Sequence, residues 1–292
     1  MSVERNPRVI PPPALVTELG PLVVVDGECA YYEDKRPTCT AFALPGFLPG
    51  QSYQNAMDLG MRRSGAVVYR PLCCDCRRCQ PLRIRVDGFR PSRSQKRVVR
   101  KCKGLFDVTV QRPVLDEEHL DLYGRYQIFQ HGEHAQSADY DSYQRFLIDT
   151  VTETIEVSWR DKDGSLVGVG ILDITPDALS SVYFFWDPEL AHLSLGIYSI
   201  LEEIELCRQW NKKYYYVGYL IFESKTMKYK ADFENTEVWN GTSWTGLPER
   251  GVDSPNVHQI LVAAEKSSIL KDSDRFSLRA ARSLPVMDST ED

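Results

Sequence analysis

Four cysteines in seven residues, Cys73-Cys74-Asp75-Cys76-Arg77-Arg78-Cys79, make the densest reactive cluster in this 292-residue chain. Cys76 and Cys79 have the C-x-x-C spacing that lets two thiolates reach one zinc or one iron. Cys73 and Cys74 are the other candidate ligands, and Cys29 and Cys39 could come in from an earlier loop. The plainer alternative is a set of small buried residues, because free cysteine is often core. Near-adjacent cysteines rarely have the geometry to bridge one another. The second knuckle of a zinc ribbon is missing, so neither a disulfide framework nor a standard finger fits. The arginines in the cluster would lower thiol pKa values and make the segment redox-sensitive.

The cluster opens a basic stripe. Between Arg77 and Lys103 stand eleven Lys and Arg against one acid, Asp87, in a chain whose net charge is −6. Such a stripe is either a solvated face or a surface that meets phosphate. Arg90, Arg93, Arg97 and Arg100 are its candidate phosphate ligands. A second constellation runs from Gly218 to Phe233. Lys225 and Lys228 are spaced i, i+3, with Lys230, Tyr219 and Tyr229 interleaved. Cations beside aromatic rings suit a phosphate and a stacked base, as at the 3′ end of an RNA. A third signal is Ser194-Leu195-Gly196, at the start of an apolar-periodic run. Helix N-termini offer free N–H groups and so hold anions, and Ser194 is also placed to cap the helix. His131 and His134 flank Gly132-Glu133 as a pair that could be structural or catalytic. No G-x-S-x-G, H-E-x-x-H or P-loop pattern occurs.

These groups need elements to position them. Residues 1–20, with Pro11-Pro12-Pro13, read as a flexible arm. Residues 21–112 read as an N-terminal lobe that carries the cysteines, a half-buried strand at Leu82–Val86 and a basic helix near Ser92–Cys102. Alternation in that strand predicts that Arg83 and Arg85 share its solvent face. Residues 113–250 read as a C-terminal lobe. Asp116-Glu117-Glu118 suits a first helical turn, and that helix is expected to reach His131 before Gly132. Strands are expected at Thr154–Trp159, Leu166–Ile174 and Ser181–Trp186, with an Asp163-Gly164 hairpin signal between the first two. A helix from about Leu195 to Trp210 and a buried strand at Tyr214–Tyr219 follow. Helix, three antiparallel strands, helix, strand is the order of a Gcn5-related acyltransferase, so the fold class is α+β. Residues 251–292 read as a polar, mobile tail.

Composition narrows the classes. Hydrophobic residues are 42% and charged residues 26%, as in globular domains. The start lacks an apolar secretory core, and no run of about 18 apolar residues occurs. The expectation is a cytoplasmic protein that makes no use of a membrane, with free thiols or a metal in place of disulfides.

Together the segments resemble the aminoacyl-tRNA–protein transferase family, the arginyltransferases and the bacterial leucyltransferases that act on N-terminal Asp and Glu. The residues that carry the resemblance are Tyr69-Arg70-Pro71 ahead of the cysteines, Phe89-Arg90-Pro91-Ser92-Arg93-Ser94 and His131-Gly132. Further on come Tyr183-Phe184-Phe185-Trp186-Asp187-Pro188, Ser194-Leu195-Gly196, Tyr216-Val217-Gly218-Tyr219 and Lys228-Tyr229-Lys230 with Phe233. The match spans roughly Cys29 to Trp244. It implies a Gcn5-related acetyltransferase-like C-terminal lobe beside a smaller Cys-bearing, basic N-terminal lobe. It also implies transfer of Leu or Arg from charged tRNA to the α-amine of proteins with N-terminal Asp or Glu, marking them for N-degron degradation. Eukaryotic members carry an early C-x-x-C that, with an adjacent cysteine pair, is implicated in iron–sulfur binding. Here that motif reads Cys29-Ala30-Tyr31-Tyr32, so the cysteine pattern is closer to the bacterial branch.

The reaction so implied asks little of side-chain chemistry. An aminoacyl ester is already activated, and an α-amine with a pKa of about 7.7–8.0 is partly free base at neutral pH. The enzyme must bring the two together and stabilise an oxyanion. No cofactor is required; an Fe–S or Zn site at Cys73, Cys74, Cys76 and Cys79 is the candidate addition. The catalytic candidates are His131, Tyr219 and Lys228. The aminoacyl end falls to Ser194, Gly196, Lys225, Tyr229 and Lys230, and the acceptor to Tyr69, Arg70 and Arg77. Two other readings stay open: a coenzyme A-dependent N-acetyltransferase, disfavoured by the single glycine in Ala191–Ile197, and a metal-containing RNA-binding module.

Overall fold

The computed structural model describes residues 8–29, 31, 37–73, 76, 78–132, 135–221, 224 and 227–247. Cys74, Arg77, His134, Lys225 and the expected tail at 251–292 lie outside them.

The first part of the chain forms β1 (Arg8–Ile10), β2 (Leu22–Glu28), β3 (Pro37–Ala43), α1 (Gly50–Asp58), β4 (Arg62–Ser64) and β5 (Val67–Pro71). Its strands make an antiparallel sheet in the order β1-β2-β3-β5-β4. Where an arm was expected, the chain from Arg8 onward belongs to this sheet: β1 pairs with β2, and Val16 and Leu19 are buried with Leu22, Tyr53 and Met57. Burying those apolar side chains outweighs the disorder that three prolines suggest.

Next come β6 (Gln80–Arg85), α2 (Arg93–Cys102), β7 (Asp107–Gln111), α3 (Glu117–His131), α4 (Tyr140–Tyr143), β8 (Thr154–Arg160), β9 (Leu166–Ile174), β10 (Ala178–Trp186), α5 (Leu195–Gln209), β11 (Tyr214–Leu220), β12 (Thr236–Trp239) and β13 (Trp244–Gly246). The strands form a second sheet in the order β13-β12-β6-β11-β10-β9-β8-β7. The chain thus passes from one sheet to the other between Pro71 and Gln80, well before residue 112. β6 is an inner strand of the second sheet, held between β11 and β12.

Its position corrects one expectation. Arg85 is exposed, but Arg83 is only 8% exposed. Its guanidinium pairs with Asp58 at 2.9 Å and Glu237 at 2.7 Å and lies 3.9 Å from the Tyr214 ring centre. On β6, Arg83 thus faces α1 and β12, and only Arg85 meets water.

The helices take their expected places. Asp116 caps α3 by accepting from His119 N, and Gly132 ends it at φ 54°. Ser92 and Gln95 close a capping box on α2. α3 packs Leu122 and Tyr123 on β9 and β10, and α2 and α5 cover the other face. With both faces covered, β9 is apolar and buried almost throughout.

A buried ion pair joins the two sheets. Arg63 of β4 donates to both carboxylate oxygens of Asp173 on β9, at 2.7 and 2.6 Å, with both side chains fully buried.

Candidate active site

The site arises where two parallel strands part. β10 and β11, linked through α5, pair only at Ala178↔Tyr214, Leu179↔Tyr215 and Ser180↔Tyr216. A register shift follows on each: at Ser181/Tyr183 where β10 meets β9, and at Tyr216/Gly218 where β11 meets β6. Gly218 takes φ 93°, a conformation costly for a residue with a Cβ. Beyond these shifts the strands splay, and a cavity of about 410 Å³ opens between them. It lies at the carboxyl ends of parallel strands, where open α/β sheets bind their ligands.

Every part of the molecule contributes a wall. β10 gives Ser181 to Phe184 and Trp186; β11 gives Val217, Gly218 and Tyr219; α5 gives Gly196, Ser199 and Ile200. The end of α3 supplies Tyr126 and His131, β4 and β5 supply Arg62 and Tyr69, and a short 3₁₀ turn at Lys228–Asp232 supplies Tyr229 and Lys230. Tyr126 and Trp186 pack edge to face at 5.7 Å, as do Phe146 and Tyr183 at 5.0 Å, so the apolar wall is interlocked.

Splaying frees backbone carbonyls, and cations take them up. Arg62 donates to Ser181 O at 2.8 Å, and Lys230 Nζ donates to Val217 O at 3.0 Å and Tyr219 O at 3.4 Å. Burial, then the neighbouring Arg62, pulls the Lys230 ammonium down to about 8. Tyr219 is 7% exposed, and its hydroxyl has no hydrogen-bond partner among the described residues. Burial drives its pKa well above the ordinary value, so the hydroxyl stays a proton donor. His131 stands at the mouth, its pKa lowered by burial, which keeps the imidazole neutral at pH 7.

Of the residues chosen from sequence, Tyr69, His131, Gly196, Tyr219, Tyr229 and Lys230 line this one cavity. Four others do not. Lys228 is exposed beside it. Arg70 follows Tyr69 on β5 and donates to Leu59 O at 3.5 Å. Ser194 is exposed in a left-handed conformation (φ 60°) and makes no side-chain capping bond, so the cap expected from it is absent. Arg90, Arg93, Arg97 and Arg100 are exposed on and just before α2. α2 nevertheless flanks the cavity. Gln95 binds Asp232 O, on the turn that carries Lys230, and Lys101 reaches His192 O just before α5.

Cys73, Cys76 and Cys79 gather with Cys29. Burial, then the negative potential of Cys76, Cys73 and Cys29, pushes the Cys79 thiol up to about 12. Among the described residues no three His, Cys, Asp or Glu side chains converge as a metal site requires. Cys74, the fourth candidate ligand, lies outside the described residues.

Arg62, at the centre of the cavity, carried no signal in the sequence. It sits on a three-residue strand too short to show periodicity.

Comparison with known proteins agrees with this arrangement. The profile described as "Arginine-tRNA-protein transferase, N terminus" matches residues 27–97, and "Arginine-tRNA-protein transferase, C terminus" matches residues 118–240. The chain belongs to this family of aminoacyl-tRNA–protein transferases and is an aminoacyltransferase. The aspartate/glutamate leucyltransferase of Saccharophagus degradans is 35% identical over 74% of this chain and 92% of its own length. That of Halorhodospira halophila is 36% identical over the same shares. Among solved structures, L-PGS from Bacillus licheniformis aligns with a TM-score of 0.37 and 9% identity, over 90% of this chain and 82% of that one. Among the described residues no helix is long and apolar enough to cross a membrane.

Proposed function

We propose that this chain transfers leucine from charged tRNA to the α-amine of proteins beginning with Asp or Glu, and so marks them for N-degron degradation. The relatives above are named aspartate/glutamate leucyltransferases, which supports this reading. The observation that favours leucine over arginine as donor is the lining of the cavity. Aromatic rings line much of it, and no Asp or Glu appears among its described residues. An arginyl side chain there would be a buried guanidinium without a partner, which costs several kcal/mol. A leucyl side chain gains roughly 1.5–3 kcal/mol from the same walls. The parting of β10 and β11 around the start of α5 supports an acetyltransferase-like arrangement of the C-terminal lobe.

The exposed face of α2 holds the tRNA through Arg90, Arg93, Arg97 and Arg100. None of these is in an ion pair among the described residues, so each is available to phosphate. The aminoacyl ester then lies in the cavity against Gly196 and Tyr229. The acceptor's α-nitrogen attacks the ester carbonyl, a C–N bond forms, and the bond to the ribose oxygen breaks. Neutral His131 receives the proton lost by the amine, and the departing ribose oxygen takes one up. The Tyr219 hydroxyl, without a partner among the described residues, donates to the oxyanion as it develops. Tyr69, 6.0 Å from Tyr219 between ring centres, holds the acceptor's first residue.

The test is to locate the transferred leucine. Mass spectrometry of an Asp-initiated peptide after reaction should find it on the α-nitrogen, and acetylating that nitrogen beforehand should abolish transfer. Leucine on a lysine side chain instead would refute the reading.

A further inference from the structure

Arg62 and Arg63 are neighbours on β4, both about 5% exposed, and they are treated differently. Arg63 has a carboxylate: it holds Asp173 through two bonds and also reaches Thr154 and Gly65 O. Arg62 has none. Its partners are the Ser181 carbonyl at 2.8 Å, the Met57 sulfur at 4.0 Å and the Tyr216 ring, 5.9 Å from the guanidinium carbon. An uncompensated charge withdrawn from water is expensive, and proteins pair such groups or place them where a ligand brings the counter-charge.

A second cation stands near it. A Cβ built on Gly218 would lie 3.6 Å from Lys230 Nζ and 3.9 Å from an Arg62 terminal nitrogen. Lys230 has no carboxylate partner either; its bonds go to backbone carbonyls. Both groups line the cavity, where no described acid balances them. Among its described residues the pocket thus holds two cations and no acid to match them.

We infer that Arg62, with Lys230 beside it, binds the side-chain carboxylate of the acceptor's N-terminal Asp or Glu and makes that carboxylate the condition for transfer. The assignment rests on the reading of the chain as a transferase to acidic N-termini. It replaces Arg70, which bonds to a neighbouring backbone carbonyl outside the cavity. A planar guanidinium suits a carboxylate because it donates through parallel N–H groups. The placement suits the reaction as well: Arg62 and Tyr69 come from the N-terminal sheet, facing the wall of α5 and Tyr229 where the aminoacyl ester lies. The same two cations could hold a phosphate of the tRNA, and the experiment separates the two anions.

The experiment compares peptides beginning with Asp, Asn, Glu and Gln as acceptors, with leucyl-tRNA as donor, for wild type, Arg62→Gln, Arg62→Lys and Lys230→Met. The readout is the Asp-to-Asn ratio of kcat/KM within each preparation. This ratio is independent of how much of a variant is folded, and Lys230→Met tests the site should Arg62→Gln not accumulate. The expected result is a ratio lowered about 100-fold in Arg62→Gln. Arg62→Lys should fall between it and wild type, with KM for leucyl-tRNA unchanged in each. A wild type that selects Asp over Asn, with variants equally selective, overturns the assignment alone. An unchanged ratio with a raised KM for leucyl-tRNA overturns it in favour of a tRNA phosphate. A wild type that labels no acidic peptide removes the assignment together with the reading beneath it.

Discussion

Along α2 the arginines and lysines stand in water, while at the cavity Arg62 is buried and Lys230 half-buried. Charge at an exposed helix face acts weakly, at long range, and is screened by salt. Charge in a closed cavity acts at contact distance and discriminates. The first arrangement suits a ligand bound by its backbone, as a tRNA is. The second suits one carboxylate that must be told from an amide. In the proposed reading, positive charge serves delivery in one place and selection in the other, and the difference lies in solvation.

Tyr219→Phe removes the proposed oxyanion donor and should slow single-turnover transfer by about 10²-fold or more. Thermal melting should show no loss of stability, because the deleted hydroxyl bonds nothing among the described residues. Slow transfer from an unstable variant would instead assign Tyr219 to the fold.

Arg63→Met leaves Asp173 buried and unpaired, and urea unfolding should register a loss of about 3–5 kcal/mol. Arg62→Met should cost less than about 1 kcal/mol in the same measurement, because it deletes a buried charge that has no carboxylate. Equal losses would mean that Arg62 is a structural residue.

Replacing Arg93, Arg97 and Arg100 together by Gln should weaken tRNA binding and flatten its dependence on log salt, by up to about 3 in slope. Selectivity for Asp over Asn should not change. If it did, the two basic regions would not be separate.

The smallest effect is one of pH, at the base of α3. His119 bonds Asp116 at 2.7 Å and Glu156 at 3.1 Å. Burial opposes its charged form, but the bonds to these two carboxylates prevail and raise its pKa. Its contribution to stability is therefore present in full below the unfolded histidine pKa and is lost as pH rises through the raised folded value. Glu156 is held below its ordinary value by the bond to His119, against burial, so its share is lost as pH falls through that lowered value. The stability difference between wild type and His119→Gln should be largest between those limits and should shrink on both sides. A difference that does not vary with pH would show His119 to be uncharged in the fold.

Much of the fold was legible because its signals are local. Asp116 and Gly132 bracket α3, Asp163-Gly164 joins β8 to β9, and apolar spacing marks α5. Arg83 was not legible: alternation reads as one wet face, whereas β6 is an inner strand whose polar side chain is taken up by Asp58 and Glu237 from distant segments. The site divided along the same line. Tyr219, Tyr229 and Lys230 were found because a short aromatic and basic run carries them. Arg62 was not, because its role depends on the absence of a nearby carboxylate, which only the folded chain can show.

The account's central claim is that a cation-bearing cavity without a described acid pairs an apolar donor with an acidic acceptor. One assay tests it directly: labelled leucyl-tRNA and arginyl-tRNA, each offered with peptides beginning with Asp, Glu, Asn or Ala. The account predicts label from leucyl-tRNA on the Asp and Glu peptides, and little from arginyl-tRNA on any. Label from arginyl-tRNA alone, or leucine on Asn and Ala as readily as on Asp, would contradict it.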